Sequence, residues 1–367
     1  MTDRARDAAR LLALVRPAIR PLVAYSPPPE ALAVKLDANE SPWPLPDDAR
    51  ARVLEALAAV ALHRYPDPRA TELRAAIARR TGGSPDALVV GSGSDEVIAL
   101  LMTALAAPRG ERERAAVLFP EPTFVMFRIA ALAHGLVPIG VPLDAEWQLD
   151  VDAMIAALSA HRPNLVFLAT PNNPTGNAFR DEDIVRLIQA DPGALFVVDE
   201  AYGAFAGRTL AGLCNEHPNV AALGTLSKIG LAAARVGWGR LPPVLAVEVD
   251  KARQPYNLNA LSQAVGLLAL GGLAPVLDEL VARVVDERER LAAELSALAR
   301  FTVYPSAANF LLCRHDGDPD PLCADLRARG IAIKSLHAHG GALEHHLRIT
   351  VGTPDENARL LDALTPR

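Results

Sequence analysis

A lysine within a small and apolar segment is the residue of this chain best suited to covalent chemistry. Lys228 follows the apolar run 220–223 and stands between Ser227 and Ile229. Burial lowers the pKa of an amine and frees its lone pair, so Lys228 can hold a carbonyl cofactor as an imine. Arg235 can bind a phosphate group through two parallel hydrogen bonds. An imine and a phosphate together predict pyridoxal 5'-phosphate (PLP), whereas Lys228 alone is more typical of a surface residue after a strand.

Two other segments are suited to a phosphate group and to a planar ring. Residues 91–95 are Gly-Ser-Gly-Ser-Asp, follow an apolar run and open a predicted helix. Small residues let backbone N–H groups approach a phosphate, and the start of a helix adds partial positive charge. An ordinary Gly-rich turn with Ser94 as the helix N-cap fits the segment equally well. Phe124, after a Pro-rich turn, either stacks on a planar cofactor or fills the core.

Two further segments could contact the ring of such a cofactor. Asn173 lies in Thr-Pro-Asn-Asn-Pro-Thr-Gly at 170–176, where two prolines stiffen the backbone and the amide can donate to an aromatic oxygen. Asp199 ends an apolar run, and a carboxylate beside a pyridine nitrogen keeps that ring protonated and able to accept electrons. Tyr202 could bond the ring oxygen. Considered alone, Asn173 is also typical of a turn and Asp199 of a helix cap.

Arg348 lies in a short apolar segment, His-Leu-Arg-Ile-Thr-Val-Gly-Thr at 346–353. Burying a guanidinium without a partner is costly, so we expect an anion to meet it. That anion is either a carboxylate of the protein or a substrate.

Short apolar runs alternate with helical periods from about Asp47 onward, and they predict the elements that position these residues. We interpret seven runs as buried strands, at 87–90, 115–119, 136–141, 164–169, 195–198, 220–224 and 236–239. Their alternation with helices predicts an α/β unit with a mostly parallel, doubly wound sheet. A ligand is expected at the carboxyl ends of its strands.

A second, smaller α+β unit is predicted after about residue 253. A long helical stretch at 275–300 precedes shorter predicted strands at 301–304, 309–314, 331–334 and 346–351. The Pro-rich opening of the chain is typical of an extended arm. We therefore predict an N-terminal arm at 1–45 that packs with the small unit, a large domain at 46–252 and a small domain at 253–367.

Composition and charge argue against several classes of protein. Half of the 367 residues are hydrophobic and 22% are charged, which is typical of a globular protein. A net charge of -6 gives no reason to expect nucleic acid or a membrane surface as a partner. Cys214, Cys313 and Cys323 form no Cys-x-x-Cys pair, so neither a disulfide framework nor a metal site is predicted. We expect a cytoplasmic enzyme with a small substrate.

Taken together and in this order, the motifs resemble those of the fold-type I PLP-dependent aminotransferases. The match runs from 36–42, Leu-Asp-Ala-Asn-Glu-Ser-Pro, to 347–352 and covers nearly the whole chain. Within that superfamily the chain is most similar to the histidinol-phosphate aminotransferases, through the segments 35–40, 64–66, 225–228, 253–257 and 308–312. The resemblance implies a seven-stranded large domain, a smaller α+β domain, and transamination between L-histidinol phosphate and 2-oxoglutarate in histidine biosynthesis.

The resemblance also implies a role for each site residue. Lys228 would bind the cofactor covalently and carry a proton during the reaction, with Asp199 and Tyr202 as catalytic partners. The cofactor-binding residues would be Ser94, Asp95, Phe124, Asn173, Asp199, Tyr202, Ser227, Lys228, Arg235 and, from the neighbouring subunit of a homodimer, Tyr65. The substrate-binding residues would be Arg348, Lys334, Tyr25, Asn39 and Tyr256. Lys334 stands where some relatives have Arg, and a lysine is a point charge and not a planar fork.

Other activities of the same fold stay open at this point. An aromatic amino acid aminotransferase or a threonine-phosphate decarboxylase would share the Lys, Asp and Arg set, so the cofactor motifs do not separate them. A non-enzymatic regulator that senses PLP would usually add a basic DNA-binding module, for which this chain has neither the length nor the charge.

Overall fold

Two β-sheets of different size organise the chain, whose computed structural model describes residue 7, residues 10–24 and residues 32–365. The strands are β1 Val34–Leu36, β2 Leu88–Ser92, β3 Ala116–Glu121, β4 Val137–Pro142, β5 Leu165–Ala169, β6 Leu195–Asp199, β7 Val220–Thr225, β8 Val236–Arg240, β9 Phe301–Val303, β10 Phe310–His315, β11 Ile331–Ser335 and β12 His346–Thr350. The helices are α1 Asp47–Ala58, α2 Thr71–Thr81, α3 Ser94–Ala104, α4 Met126–His134, α5 Val151–His161, α6 Asp181–Ala190, α7 Leu213–Glu216, α8 Pro243–Ala252, α9 Ala260–Leu270, α10 Ala274–Ser296, α11 Asp320–Ala328 and α12 Pro354–Leu364.

The larger sheet has seven strands in the order β2-β8-β7-β6-β5-β3-β4. Strands β3 to β7 pair in parallel, and β8 runs antiparallel to both of its neighbours, β7 and β2. The mostly parallel, seven-stranded α/β sheet predicted from the alternating apolar runs is thus confirmed. Helices cover both faces, which is why its strands are continuous apolar runs.

Alternate residues of these strands fill two separate cores. On one face Val117, Phe167 and Val197 pack among the helices α3, α4 and α8, and on the other face Val166 and Phe196 pack among α5 and α6. All five side chains are fully buried. A strand turns successive side chains to opposite faces, and here both faces are buried. The register of each strand is therefore fixed, and with it the position of the polar residue at the strand's end.

The smaller sheet has five strands in the order β1-β11-β12-β10-β9. Four of them match the strands predicted for the second unit. The fifth, β1, comes from the arm and pairs in parallel with β11, with Val34 opposite Ile331. The arm therefore contributes a strand to the sheet at the opposite end of the sequence.

Helix α10 runs along both sheets, since its 23 residues span about 35 Å. Leu280 near its start packs with Leu231 beside the larger sheet, and Leu291 near its end packs under the smaller sheet. The boundaries at residues 45 and 252 stay predictions. Helix α9 packs on α1 and α2, although it follows residue 252.

Trp147 joins the two sheets at an apolar contact. It lies in the loop between β4 and α5 and packs against Leu312, Leu336 and Leu343 of the second unit. Its ring meets those of Tyr304 and His346 edge-on, at 5.8 and 5.5 Å between centroids. The backbone of Trp147 is left-handed, with φ 61°. Such a conformation is rare for a bulky residue and persists where surrounding contacts hold it.

Among the residues that the structure describes, no single helix is long and apolar enough to cross a membrane. The pair α9 and α10, bent by 77°, meets that criterion of length and composition only when its two helices are taken together.

Candidate active site

The first part of the site is a turn between β2 and α3 that can receive a phosphate group. Gly93 takes a positive φ of 83° and leads directly into α3, whose first turn holds Ser94 and Asp95. Strand β8 runs so close to this turn that a side chain at Gly237 would meet the backbone of Gly93 and Ser94. The free N–H groups at the start of α3 therefore face a narrow space, here called the cradle, between the turn at Gly93 and the residues that precede β8. Backbone N–H groups at a helix N-terminus are suited to binding an anion.

Arg235 completes the cradle from the segment between β7 and β8. Its guanidinium donates to Ser227 Oγ at 3.2 Å and lies 3.6 Å from a carboxylate oxygen of Asp95. Thr225 Oγ1 in turn donates to Ser227 Oγ at 2.9 Å. Arg235 has a left-handed backbone, with φ 51°, which turns its side chain back toward the start of α3. Two hydroxyls and a guanidinium thus surround one point beside free backbone amides.

Lys228 lies in a kinked turn, Ser227–Leu231, which follows β7 after one residue. The turn is possible because Gly230 takes a φ of 105°. Lys228 is half-buried, and its Nζ lies 5.6 Å from the centre of the Tyr202 ring. The amine therefore lies beside one of the residues predicted to contact the cofactor ring.

Asp199 ends β6 on the floor of the same cleft and is only 4% exposed. One carboxylate oxygen accepts a hydrogen bond from the Ala201 N–H at 3.0 Å. The pKa of this carboxyl is raised to about 6, chiefly by burial and in part by the nearby carboxyls of Asp95 and Glu200, while the Ala201 N–H and Lys228 act in the opposite direction. The charged form of such a buried carboxylate is stabilised by a cationic partner. A protonated pyridine nitrogen is a partner of that kind, so Asp199 fits PLP.

Arg348 approaches the cleft from β12 of the smaller sheet. It donates to Asn173 Oδ1 at 2.7 Å and to the Asp37 carbonyl at 2.8 Å. Its guanidinium carbon lies 5.5 Å from the centre of the Phe310 ring. Lys334 is its direct neighbour across the β11–β12 pair and is exposed. The structure therefore brings the two predicted substrate cations together, and it adds Asn173 as a link between Arg348 and the cofactor side.

Asn39 has a different position from the one that a direct substrate contact suggests. It is 2% exposed, and its side chain is bonded to Thr350 and Tyr202. The substrate contact predicted for Asn39 stays a prediction, whereas its bond to the Tyr202 hydroxyl is a feature of the structure.

The remaining predicted residues fall into three groups. Phe124 is half-buried and meets Phe127 edge-on, at 5.5 Å between centroids. Tyr65 is 79% exposed and stacks on Tyr256, with centroids 4.4 Å apart and planes 18° apart. Tyr25 lies outside the described residues. The roles of all these residues, in cofactor binding, at a subunit interface or in substrate binding, stay predictions.

Sequence reasoning missed several residues that hold the site together. Thr225, Asp37 and Thr350 were quoted only as parts of motifs, yet each bonds a predicted site residue. A hydroxyl two positions before Ser227 is the one signal that could have drawn attention to Thr225. The contacts of Asp37 and Thr350 span 311 residues of sequence and leave no local signal.

Comparison with known proteins agrees with this geometry. The family model for aminotransferase class I and II matches residues 33–364. A histidinol-phosphate aminotransferase of Chromobacterium violaceum is 43% identical over 353 residues, which are 96% of this chain and 97% of that protein. A histidinol-phosphate aminotransferase 1 of Burkholderia lata matches at the same identity and coverage.

Solved structures show the same similarity. The crystal structure of histidinol-phosphate aminotransferase from Sinorhizobium meliloti in complex with pyridoxal-5'-phosphate superposes with a TM-score of 0.84 and 27% identity. The superposition covers 96% of both chains. The residues that form the cleft, the fold that positions them and the match over nearly the whole length lead to one conclusion, that this chain belongs to the class I and II aminotransferase family.

Proposed function

We propose that this protein is a PLP-dependent aminotransferase acting on L-histidinol phosphate and 2-oxoglutarate, with imidazole-acetol phosphate and L-glutamate as products. The observation that carries the proposal is the convergence of Lys228, buried Asp199 and Arg348 on one cleft. The similarity to named histidinol-phosphate aminotransferases at 43% identity supports the choice of substrate. The reaction belongs to histidine biosynthesis.

The cofactor assignment rests on the groups that line the cleft. When bound, PLP supplies an aldehyde that reacts with amines and a ring that accepts electrons. Asp199 would hold the ring nitrogen, Asn173 and Tyr202 the ring oxygen, and Phe124 one face of the ring. The phosphate would be held by Ser94, Asp95, Ser227 and Arg235. The half-buried amine of Lys228 would carry the cofactor.

Lys228 also has a role in moving protons. Its Nζ would take the proton from the substrate carbon that bears the amino group and, in the second half-reaction, would deliver a proton to the corresponding carbon of the keto acid, which a flexible four-carbon side chain allows. Tyr202, 5.6 Å away, limits where that amine can lie. Asp199 would pair with the protonated ring nitrogen, and burial keeps water from screening that pair.

Arg348 orients the anionic end of either substrate. A guanidinium binds the carboxylate of glutamate and the phosphate ester of histidinol phosphate with the same pair of N–H groups. Asn173 and the Asp37 carbonyl hold the guanidinium from behind, so its direction is set before the substrate binds. Lys334 lies beside Arg348 and is exposed. It adds positive charge, but as a flexible point charge it does not set the orientation of the bound anion.

A homodimer and a cytoplasmic location are part of the same proposal. Tyr65 is almost fully exposed on this protomer while its ring is stacked on Tyr256, and an ordered exposed aromatic pair is typical of an interface. The three cysteines are free thiols, which is typical of a reducing compartment.

The test compares substrates on the purified PLP-loaded protein. We expect 2-oxoglutarate-dependent turnover of histidinol phosphate to exceed that of phenylalanine clearly, and no carbon dioxide release from threonine phosphate. Glutamate alone should shift the absorbance band of the bound cofactor. A preference for phenylalanine or for decarboxylation would overturn the substrate, and an unchanged spectrum with glutamate would overturn transamination itself.

A further inference from the structure

Asn39 is bonded on every side by groups that also support the site. Its backbone is left-handed, with φ 55°, a conformation that asparagine tolerates better than most residues. Its N–H donates to Thr350 Oγ1 at 3.0 Å, and its carbonyl accepts from Asn309 Nδ2 at 3.1 Å. The residue is therefore locked in place before any ligand binds.

The bonds to Thr350 decide which way the Asn39 amide faces. Thr350 Oγ1 accepts from the Asn39 N–H and donates its own proton to Asn39 Oδ1, at 3.1 Å. This arrangement leaves Asn39 Nδ2 directed at the Tyr202 hydroxyl, at 2.9 Å. The amide is a donor to Tyr202 and not an acceptor.

The direction of that bond sets the direction of the next one. A tyrosine hydroxyl has one proton, and Asn39 Nδ2 has no lone pair to receive it. The Tyr202 proton must therefore point away from Asn39, and the Lys228 Nζ lies over the Tyr202 ring, 5.6 Å from its centre. A hydroxyl held in this way can donate to a ring oxygen.

The same segment is connected to the substrate anchor. Thr350 and Arg348 are two residues apart on β12 and face the same side of the sheet. Arg348 donates to the carbonyl of Asp37, two residues before Asn39. Residues 37–39 thus contact Arg348 and Thr350 together, and they reach the Tyr202 hydroxyl through one amide.

We propose that Asn39 is a positioning residue: it directs the Tyr202 proton toward the ring oxygen of bound PLP and ties that hydroxyl to the strand that carries Arg348. This inference rests on the proposed function only in that PLP must bind. It assigns Asn39 a role in setting the charge on the cofactor ring in place of a direct contact with the substrate.

The role has an optical readout that does not depend on turnover. A hydrogen bond to the ring oxygen stabilises the negative charge on that oxygen. The effect is strongest when the Lys228 nitrogen that carries the cofactor has lost its proton. Loss of that bond raises the pH midpoint of the absorbance change of the bound cofactor. We expect Asn39→Gly, which retains the left-handed backbone, to raise this midpoint by about one unit, or tenfold in proton affinity.

Two further variants keep the test independent of any folding defect. Thr350→Val leaves the backbone unchanged but removes the hydroxyl that orients the amide, so a smaller shift in the same direction is expected. Asn39→Asp replaces the donor by an acceptor that takes the Tyr202 proton, and should shift the midpoint at least as far as Asn39→Gly. Asn357→Ala is the matched control, since Asn357 is fully buried and, among the described residues, its side chain bonds Gly352 and Glu287 and no residue of the site. It should lower the melting temperature and leave the midpoint unchanged.

The deciding experiment is a double-mutant cycle with Tyr202→Phe, followed by absorbance from pH 5 to 10. If Asn39 acts through Tyr202, Asn39→Gly adds no shift in the Tyr202→Phe background. An equal shift in both backgrounds, or no shift of Asn39→Gly in the wild-type background, overturns the inference. These outcomes are independent of which substrate the enzyme prefers. A wild-type protein that binds no PLP would overturn both the proposed function and the role of Asn39.

Discussion

The proposed phosphate end of the site and its proposed substrate end are built in different ways. At the phosphate end, the turn after β2, the turn after β7 and Arg235 before β8 all belong to the seven-stranded sheet. At the substrate end, Arg348 comes from the five-stranded sheet and is held by Asn173 of the larger sheet and by Asp37 of the loop after β1. Within this protomer, the residues of the phosphate end all belong to one sheet, whereas the substrate end forms where two sheets meet.

This difference separates cofactor affinity from substrate affinity. Neighbouring hydrogen-bonded strands hold the phosphate end, so its geometry is as rigid as the sheet core. The substrate end changes whenever the two sheets move relative to each other, because its hydrogen bonds cross between them. Substitutions at the two ends should therefore have opposite kinetic effects.

The largest effect is expected from Lys228→Ala, at the point where the two ends meet. Loss of the amine removes both the covalent attachment of PLP and the proton carrier, so kcat should fall by at least about 10⁴-fold. The absorbance band of the lysine-bound cofactor should disappear. Lys251→Ala, at an exposed position of α8, is the control, since the ion pair of Lys251 is with Glu248, away from the site. Retention of the band by Lys228→Ala would show that another amine binds PLP.

Arg348→Gln should affect the substrate end alone. Removal of a charged anchor from an anion site lowers kcat/KM by about 1000-fold for both substrates, because neither anion retains its two-point contact. The dissociation constant of PLP should stay unchanged, as measured by fluorescence titration. Arg314→Gln is the matched control, on the adjacent strand and exposed. A weaker affinity for PLP in Arg348→Gln would break the proposed separation between the two ends.

Asp199 allows a pH test of the cofactor end in protein freed of PLP. The pKa of Asp199 is raised from 3.8 to about 6, so the folded chain keeps a proton that the unfolded chain releases. Its contribution to the free energy of unfolding is therefore full below about pH 4 and is lost as pH rises through 6. The loss amounts to about 3 kcal/mol.

Urea unfolding from pH 4 to 8 measures this difference between the wild type and Asp199→Asn, which cannot release the proton. The two stability curves should diverge as pH rises, with the wild type falling. Asp152→Asn changes a well-exposed carboxyl and should give a curve parallel to that of the wild type. Parallel curves for Asp199→Asn would mean that Asp199 is not the titrating group.

Gly237→Ala should give the smallest of these effects. In contrast to Arg348→Gln, it should weaken the affinity for PLP and leave substrate binding unchanged. The added methyl group meets the backbone of Gly93 and Ser94 and must displace the turn that faces the phosphate. Overpacking of this kind corresponds to a loss of about 10- to 100-fold in affinity for PLP. With saturating PLP, the KM for histidinol phosphate should be unchanged.

Gly212→Ala is the matched control for that variant. Gly212 has a helical backbone and no atom within 4 Å of an added Cβ, so PLP affinity should be retained. A raised KM in Gly237→Ala at saturating PLP would show that the phosphate end also positions the substrate.

The same contrast explains how much of the molecule could be predicted from its sequence. The phosphate end lies in two short segments, 91–95 and 225–237, whose residue types and spacing indicate their chemistry directly. The seven strands were predictable because burial on both faces makes each one a continuous apolar run. At the substrate end, Arg348 and Lys334 are predictable as residue types, but nothing in the local sequence indicates the bond between Asn39 and Tyr202.

Strand β1 and Trp147 were missed for a related reason. A three-residue strand has too few side chains for a periodic pattern, and the partner of β1 lies almost 300 residues away. Trp147 lies in a loop, and nothing in its neighbours along the chain specifies the three leucines of the second unit that surround it. Contacts between distant segments leave no local pattern to detect.

Trp147 also limits how this enzyme can be recombined with its relatives. A chimera that joined the larger sheet of this chain to the second unit of another protein would place the indole against unfamiliar side chains at positions 312, 336 and 343. A crossover chosen from the sequence alone would thus separate Trp147 from its pocket, although both parts could fold. For useful chimeras, the loop between β4 and α5 must be inherited together with the C-terminal unit.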